Sequence, residues 1–264
     1  MHGSGWHGPC IPACMAKQYR CTVITPLLDS NPLILETYEA LAHQLNDQVC
    51  WLIKNSAPGH SGALDRLRQH EHITVVERAD DSLYDAVNQA LARIETEYYV
   101  VIGAGDKLAP GAVPLMMGCI DRFSAMDALF FAAKRHPVDL TFLPRPEQLA
   151  GGMTTPHPGA VLKTECSRSI GGYDTRYRIA ADYDHLSRYT RRFPNCGKND
   201  HVLTHYLGGG VSEARLLEGF IESCLVRLRV WNEPEGSVAV GIFRALEASC
   251  APPDRSPPGR VAAG

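Results

Sequence analysis

Short apolar runs alternate with stretches of helical spacing along the first part of the chain. The runs rich in β-branched and aromatic residues predict strands at 21–25, 49–53, 73–77 and 98–102. Apolar residues that recur every three or four positions predict helices at 31–45, 63–70 and 83–94. Strands and helices that alternate in this way are typical of a Rossmann-like α/β fold, in which helices cover both faces of a mostly parallel sheet.

The second part of the chain is less regular. Its periodicity predicts helices at 110–120, 182–192 and 211–231 and a strand at 128–133. The proline-rich stretch between 137 and 163 gives no clear assignment. We expect a flexible N-terminal extension, one catalytic domain, a C-terminal helical segment and a disordered Pro/Gly-rich tail. Their expected bounds are 1–17, 18–212, 213–249 and 250–264.

The segment 80–108 contains the most informative pattern. Ser82 and Asp85 have the spacing of a capping box at the start of a helix, and Asp106 follows the next apolar run. Ligands of open α/β sheets bind beyond the carboxyl ends of the strands, so Asp106 is expected beside a ligand. An Mg²⁺-like ion needs only one or two carboxylates when phosphate oxygens and water complete its shell. Asp106 is therefore a candidate metal ligand, or else a cap for the helix that begins near Pro110.

Three segments carry a resemblance to a known family. They are DDSLYDAVN, VVIGAGD and GGYDTRYRIAADYDHLSRY, in this order along the chain. They resemble family 2 glycosyltransferases of the GT-A type, including those of colanic-acid and other polysaccharide biosynthesis. The resemblance implies the GT-A fold, a divalent cation (Mg or Mn), a nucleotide-diphosphate sugar donor, and inverting transfer to a hydroxyl of a glycan or lipid-linked glycan.

The same resemblance implies site residues. Asp182 corresponds to the family's acceptor-side base, with Asp184 nearby as a weaker candidate, and Asp106 to its metal ligand. The residues expected at the donor site are Thr25, Pro26, Asn55, Asp80, Asp85, Asn88, Gly105 and His157. Simpler explanations exist for several of them, because Asn55 suits a turn, Asp85 a capping box and a lone histidine a structural role.

Three departures from the family pattern support a second hypothesis. Gly105 stands where the family often has a first aspartate, Asn55 where it has an acidic residue, and Ser82 where it has glycine. These differences are compatible with a non-catalytic nucleotide-sugar-binding protein that keeps the fold. A dinucleotide-binding enzyme is less favoured, because no G-x-G-x-x-G follows the first strand.

Charge and composition limit the binding partners and the cellular locations that we expect for the protein. The formal net charge of −3 gives no overall attraction for nucleic acid. Nine cysteines without a C-x-x-C pair favour a reducing, cytoplasmic location. No run reaches the length of about 18 apolar residues that spans a bilayer. The amphipathic segment 211–231 is expected to pack on the domain, with dimerisation or peripheral membrane contact as alternatives.

Overall fold

One nine-stranded mixed sheet forms the centre of the protein. The computed structural model describes residues 18–28, 31–57, 62–208, 215–238 and 241. The predicted extension 1–17 and tail 250–264 lie outside the described residues, and the boundary between domain and C-terminal segment near 212 does as well.

The strands divide into a parallel half and a mixed half. Their bounds are β1 Cys21–Leu27, β2 Val49–Asn55, β3 Ile73–Glu77, β4 Tyr98–Val101, β5 Lys107–Leu108, β6 Ala128–His136, β7 Leu140–Phe142, β8 Ala160–Lys163 and β9 Cys196–Leu207. The order across the sheet is β3-β2-β1-β4-β8-β6-β9-β5, and β7 pairs with β6. Strands β3, β2, β1 and β4 are mutually parallel, whereas β8 is antiparallel to both of its neighbours.

Helices cover both faces, as the sequence predicts. They are α1 Ile34–Leu41, α2 Gly62–Leu67, α3 Leu83–Leu91, α4 Ala112–Arg122, α5 Thr164–Ser169, α6 Ala181–Arg192 and α7 Leu216–Trp231. Because successive strand residues point to opposite faces, the sheet builds two apolar layers. Helices α1, α2 and α4 pack in one layer, and α3, α6 and α7 pack in the other.

The strands follow the predicted positions more closely than the helix ends do. Strand β3 coincides with its prediction, and the other three predicted strands of the first half differ by one or two residues. Helix α1 begins at Ile34 rather than at 31, because the Asn31 side chain accepts a hydrogen bond from Leu33 N (3.0 Å) and forms a turn before the helix. Likewise, α4 begins only after Gly111, whose φ of 76° interrupts the helix predicted from 110.

The C-terminal helix α7 packs on the domain. Val226 and Val230, one turn apart, are buried in the same apolar layer as α3 and α6. This agrees with packing as the favoured role of its amphipathic pattern. Among the described residues, no helix is both long enough and apolar enough to cross a membrane.

A buried ion pair fixes the carboxyl end of β2 to the chain that follows β3. Lys54 Nζ contacts Asp80 Oδ2 at 2.7 Å, and the two side chains are 0% and 6% exposed. The same ammonium donates to the carbonyls of Arg78 (2.5 Å) and Asn55 (3.3 Å). Its three protons are thus satisfied, which a charge buried in a sheet requires.

We expect Lys54→Met to destabilise the protein by about 3–5 kcal/mol, because it leaves the Asp80 carboxylate buried without its partner. Urea unfolding measures the change. The double variant K54M/D80L, which removes both charges, should recover much of the loss.

Lys107→Met is the matched control, since Lys107 pairs with Glu36 at the surface, where both side chains are about half exposed. It should cost no more than about 1 kcal/mol. Equal losses for the two single variants would contradict the role of the buried pair.

Candidate functional site

Asp106 closes the turn that follows β4. Its Oδ2 accepts a hydrogen bond from Gly103 N at 2.7 Å, and its Oδ1 accepts one from Leu207 N at 3.1 Å. Helix α4 begins at Gly111 without a side-chain cap, so the alternative in which Asp106 caps that helix is wrong. The carboxylate instead joins the end of β4 to the end of β9.

Gly105 has a backbone conformation that excludes the family's first aspartate. Its φ is 94°, and a Cβ placed there would lie 2.7 Å from Leu207 Cδ1. Its N–H donates to the buried Thr37 hydroxyl at 2.8 Å. A side chain at this position would strain the turn, so Gly105 can contribute only its backbone to a ligand.

The electrostatic state of Asp106 suits a cation site. The side chain is half-buried, and burial raises the pKa of its carboxyl to about 6 even though two N–H groups favour the charged form. Within the described residues, no lysine, arginine or histidine forms an ion pair with it. A carboxylate has about four lone-pair positions, and two remain for a ligand.

The ends of β1 and β2 are buried and internally bonded. Thr25 accepts a hydrogen bond from Trp51 Nε1 (2.9 Å), and Pro26 pairs in register with Lys54. The Asn55 side chain donates to the carbonyl of Ala57 at 2.5 Å. These contacts match the turn explanation of Asn55.

Two of the aspartates that the resemblance places at the donor site have structural partners. Asp80 is held by Lys54, as described above. Asp85 forms the predicted cap, because its N–H donates to Ser82 Oγ (3.2 Å) while its Oδ2 accepts from Asp81 N (3.2 Å) and Gln89 (2.9 Å). In an ideal capping box the Asp85 side chain would accept from the amide of Ser82, the N-cap; here it accepts from the preceding amide, that of Asp81.

Asn88 joins the two motif segments. Its Nδ2 donates to the Tyr173 carbonyl and its Oδ1 accepts from Tyr173 N, both at 2.8 Å. The adjacent Gly172 has a φ of 68°, and a Cβ there would lie 2.5 Å from Asn88 Oδ1. Each end of the amide therefore has a backbone partner, and Asn88 positions the backbone before α6.

His157 is part of a buried polar chain. Its Nε2 lies 2.8 Å from the Tyr173 hydroxyl, which lies 3.3 Å from the Tyr99 hydroxyl. The chain continues to His185 and Ser167, each within 3.2 Å of the Tyr99 hydroxyl. Burial lowers the pKa of His157 to about 4, so its imidazole is neutral at pH 7.

Asp182 and Asp184 differ in a way that favours Asp182 as the base. Asp184 is buried and paired with Arg188 (2.6 Å). Asp182 is half-buried and lacks an ion-pair partner among the described residues, and its Oδ1 accepts from Tyr183 N at 2.7 Å. The N-cap of α6 is Ala180, so Asp182 lies within the first turn of the helix and does not cap it.

Asp182 lines an open cleft. Its volume is about 450 Å³, and the half-buried His157 lies in the same wall. Burial raises the pKa of the Asp182 carboxyl to about 6. Tyr206 of β9 also lines the cleft, and the next residue, Leu207, donates to Asp106. The last two residues of β9 therefore connect the Asp106 turn to the Asp182 cleft.

Sequence reasoning missed two buried charged residues. Lys54 interrupts an otherwise apolar strand segment, and Glu222 stands four residues before Val226 on the buried stripe of α7. A charge on a buried stripe requires a partner. The periodic apolar positions around Lys54 and Glu222 were the signal that could have revealed their burial. The sequence does not reveal which groups satisfy the two charges.

Comparison with solved structures identifies the fold. The chain resembles S. aureus TarS 1–349 in complex with UDP-GlcNAc, with a TM-score of 0.61 and 13% identity over 86% of this chain and 71% of that one. It also resembles the mannosyltransferase PcManGT from Pyrobaculum calidifontis in complex with GDP-Man and Mn²⁺, with a TM-score of 0.58 and 16% identity over 89% and 76%. No protein-family model and no curated protein matches the sequence.

The protein therefore has the GT-A fold, as its sequence predicts. Identities this low establish the fold alone, because one fold hosts many activities. The roles of the individual site residues remain predictions.

We expect Asp182→Asn to stabilise the protein at pH 7.5 by about 1–2 kcal/mol. The folded-state pKa of Asp182 is raised above its usual value of 3.8, so ionisation disfavours the folded state progressively as pH rises from 4 to above 6. The gain should shrink as pH falls toward 4.5, and urea unfolding at both pH values measures it.

Asp174→Asn is a control in which we expect the opposite change in stability. Its hydrogen bonds with Arg176 lower the pKa of the Asp174 carboxyl, so this variant should lose stability at pH 7.5 rather than gain it. An Asp182→Asn variant with the same stability as the parent at every pH would contradict the assigned electrostatics.

Proposed function

We propose that this protein is a metal-dependent, inverting glycosyltransferase that moves a sugar from a nucleotide-diphosphate sugar to an acceptor hydroxyl. The observation that carries the proposal is the connection through β9. It joins Asp106, at the carboxyl end of the parallel half, to the cleft that contains Asp182. A donor bound at the first carboxylate would thereby place its sugar toward the second.

Asp182 has the properties of a general base. A carboxylate with a pKa near 6 is ionised at pH 7.5 and is more basic than an ordinary aspartate. In the proposed step, Asp182 takes the proton of the acceptor hydroxyl while the oxygen bonds to the anomeric carbon. The bond from that carbon to the diphosphate breaks, and the nucleoside diphosphate leaves with the electron pair. Attack from the opposite side inverts the anomeric configuration.

Asp106 fits a divalent cation in part. Its free lone pairs and half-buried carboxylate suit Mg²⁺ or Mn²⁺, whereas Gly105 provides no second carboxylate. Bound there, the ion would stabilise the negative charge that develops on the leaving diphosphate. The PcManGT structure contains Mn²⁺ together with GDP-Man, which supports a cation in a protein of this fold.

The donor class follows from the resemblance and the comparisons. The similar TarS structure holds UDP-GlcNAc and the similar PcManGT structure holds GDP-Man, so a nucleotide-diphosphate sugar is the donor that we propose. The backbone at Thr25 and Pro26 would border its base. For the acceptor, we propose a glycan or lipid-linked glycan of polysaccharide or glycoconjugate biosynthesis, handled in the cytoplasm or at the membrane surface.

The alternative of a non-catalytic binding protein rests on Gly105, whose conformation excludes the second acidic ligand. It makes a distinct prediction. A protein of this kind would bind a nucleotide-diphosphate sugar but would neither transfer nor hydrolyse it.

A panel of nucleotide-diphosphate sugars tests the proposal through release of nucleoside diphosphate with and without Mn²⁺. We expect metal-dependent release from at least one donor. Asp182→Asn should lower kcat by about 10²- to 10⁴-fold and leave the donor Kd within about twofold, because the base acts on the acceptor. Asp106→Asn should remove the metal-dependent part of donor binding.

Asp121→Asn is the matched control, since Asp121 is exposed and pairs with Arg20 at the surface. It should retain full activity. Binding without release from any donor would favour the alternative, and undiminished turnover in Asp182→Asn would contradict the assignment of the base.

A further inference from the structure

Glu222 of α7 holds the backbone that leads into α6. Its Oε1 accepts a hydrogen bond from Arg178 N, and its Oε2 accepts from Ile179 N and Ala180 N, each at 2.8 Å. The residue is only 9% exposed. One carboxylate therefore satisfies three successive amides immediately before the helix that carries Asp182.

The approach of α7 to this segment is close. A Cβ at Gly219, one turn before Glu222, would lie 2.9 Å from Ile179 Cγ2. Glycine at this position lets the helix come near enough for the Glu222 side chain to reach the amides. A second clamp comes from α3, because the Tyr84 hydroxyl donates to the Ile179 carbonyl at 2.9 Å.

Charge gives Glu222 a second effect on Asp182. Burial is the main cause of the raised pKa of the Asp182 carboxyl. The described groups around it are the amides of Asp182 and Tyr183 from α6, the Tyr84 hydroxyl from α3, the Tyr173 hydroxyl, the neutral His157 of the same cleft and the Glu222 carboxylate from α7. The two amides favour the ionised form, whereas the like charge of Glu222 adds a smaller effect that disfavours it. Glu222 thus acts on both the position and the basicity of Asp182.

We propose that Glu222 is a positioning residue of the transfer reaction: from α7 it fixes the 178–180 backbone that presents Asp182 to the cleft. This inference rests on the proposed function, because Asp182 is a base only in a transferase. It makes α7 a part of the site and not merely a helix packed behind it.

Glu222→Gln tests the inference. An amide nitrogen cannot accept hydrogen bonds, so at least one of the three contacts is lost together with the charge. We expect kcat to fall about tenfold or more, with the donor Kd unchanged within about twofold. The acid limb of the pH–kcat profile should move to lower pH, because the like charge beside Asp182 is removed.

Glu218→Gln is the matched control. It removes the same charge from α7 one turn earlier, where Glu218 pairs with Arg215 at the surface. Its activity and pH profile should equal those of the parent. A Glu222→Gln protein with the parent's kcat and pH profile would overturn the inference, as would an equal effect of Glu218→Gln.

Gly219→Ala provides a second test, which is needed if Glu222→Gln folds poorly. Alanine favours the helix and keeps the carboxylate, but its methyl group must displace Ile179 or α7 by a few tenths of an ångström. We expect a folded protein whose kcat is several-fold lower with an unchanged donor Kd. A kcat equal to that of the parent would count against positioning by α7.

A titration of the Asp182 carboxyl by ¹³C NMR separates this inference from the proposed function. If no nucleotide sugar is turned over by the parent protein, the transferase proposal fails. The link between Glu222 and Asp182 is still supported if the Asp182 pKa is lower in Glu222→Gln and unchanged in Glu218→Gln. An identical Asp182 pKa in all three proteins would overturn it.

Discussion

The two hydrogen bonds between Asn88 and the Tyr173 backbone hold the site together. They fix α3 to the chain that turns into α6. Gly172 is required beside them, because a side chain would displace the amide. Asp182 lies nine residues beyond Tyr173, so its position depends on this contact and on the Glu222 carboxylate that holds the intervening backbone.

The candidate site combines stable scaffolding with two disfavoured charges. Lys54 and Asp80 form a buried ion pair and Asn88 is bonded to the Tyr173 backbone, so all three maintain the frame. Asp106 and Asp182 are half-buried, and burial raises the pKa of both carboxyls to about 6. Such groups cost stability near neutral pH, and a cation or an acceptor proton would relieve that cost. This contrast separates residues that build the site from residues that the proposed chemistry uses.

The sequence predicted the parallel half because its signals are local, whereas the GT-A fold was implied by the resemblance of three motif segments. Apolar runs mark β1 to β4, and the cap at Ser82 and Asp85 marks the start of α3. The role of Asn88 could not be predicted, because its partner is 85 residues away and is a backbone group. The same holds for Glu222, whose spacing revealed burial but not the three amides that it binds. The segment between β6 and β8 lacked periodicity, since it contains only the short strand β7 and two short helical turns, separated by irregular chain.

The central claim is that Asp106 and Asp182 belong to one site, with the cation and the sugar between them. A crystal of the protein grown with Mn²⁺ and a nucleotide-diphosphate sugar tests it most directly through the anomalous scattering of manganese. The account predicts a manganese peak within bonding distance of an Asp106 oxygen and the sugar's anomeric carbon on the side facing Asp182. Manganese bound elsewhere, or a sugar directed away from the Asp182 cleft, would contradict it.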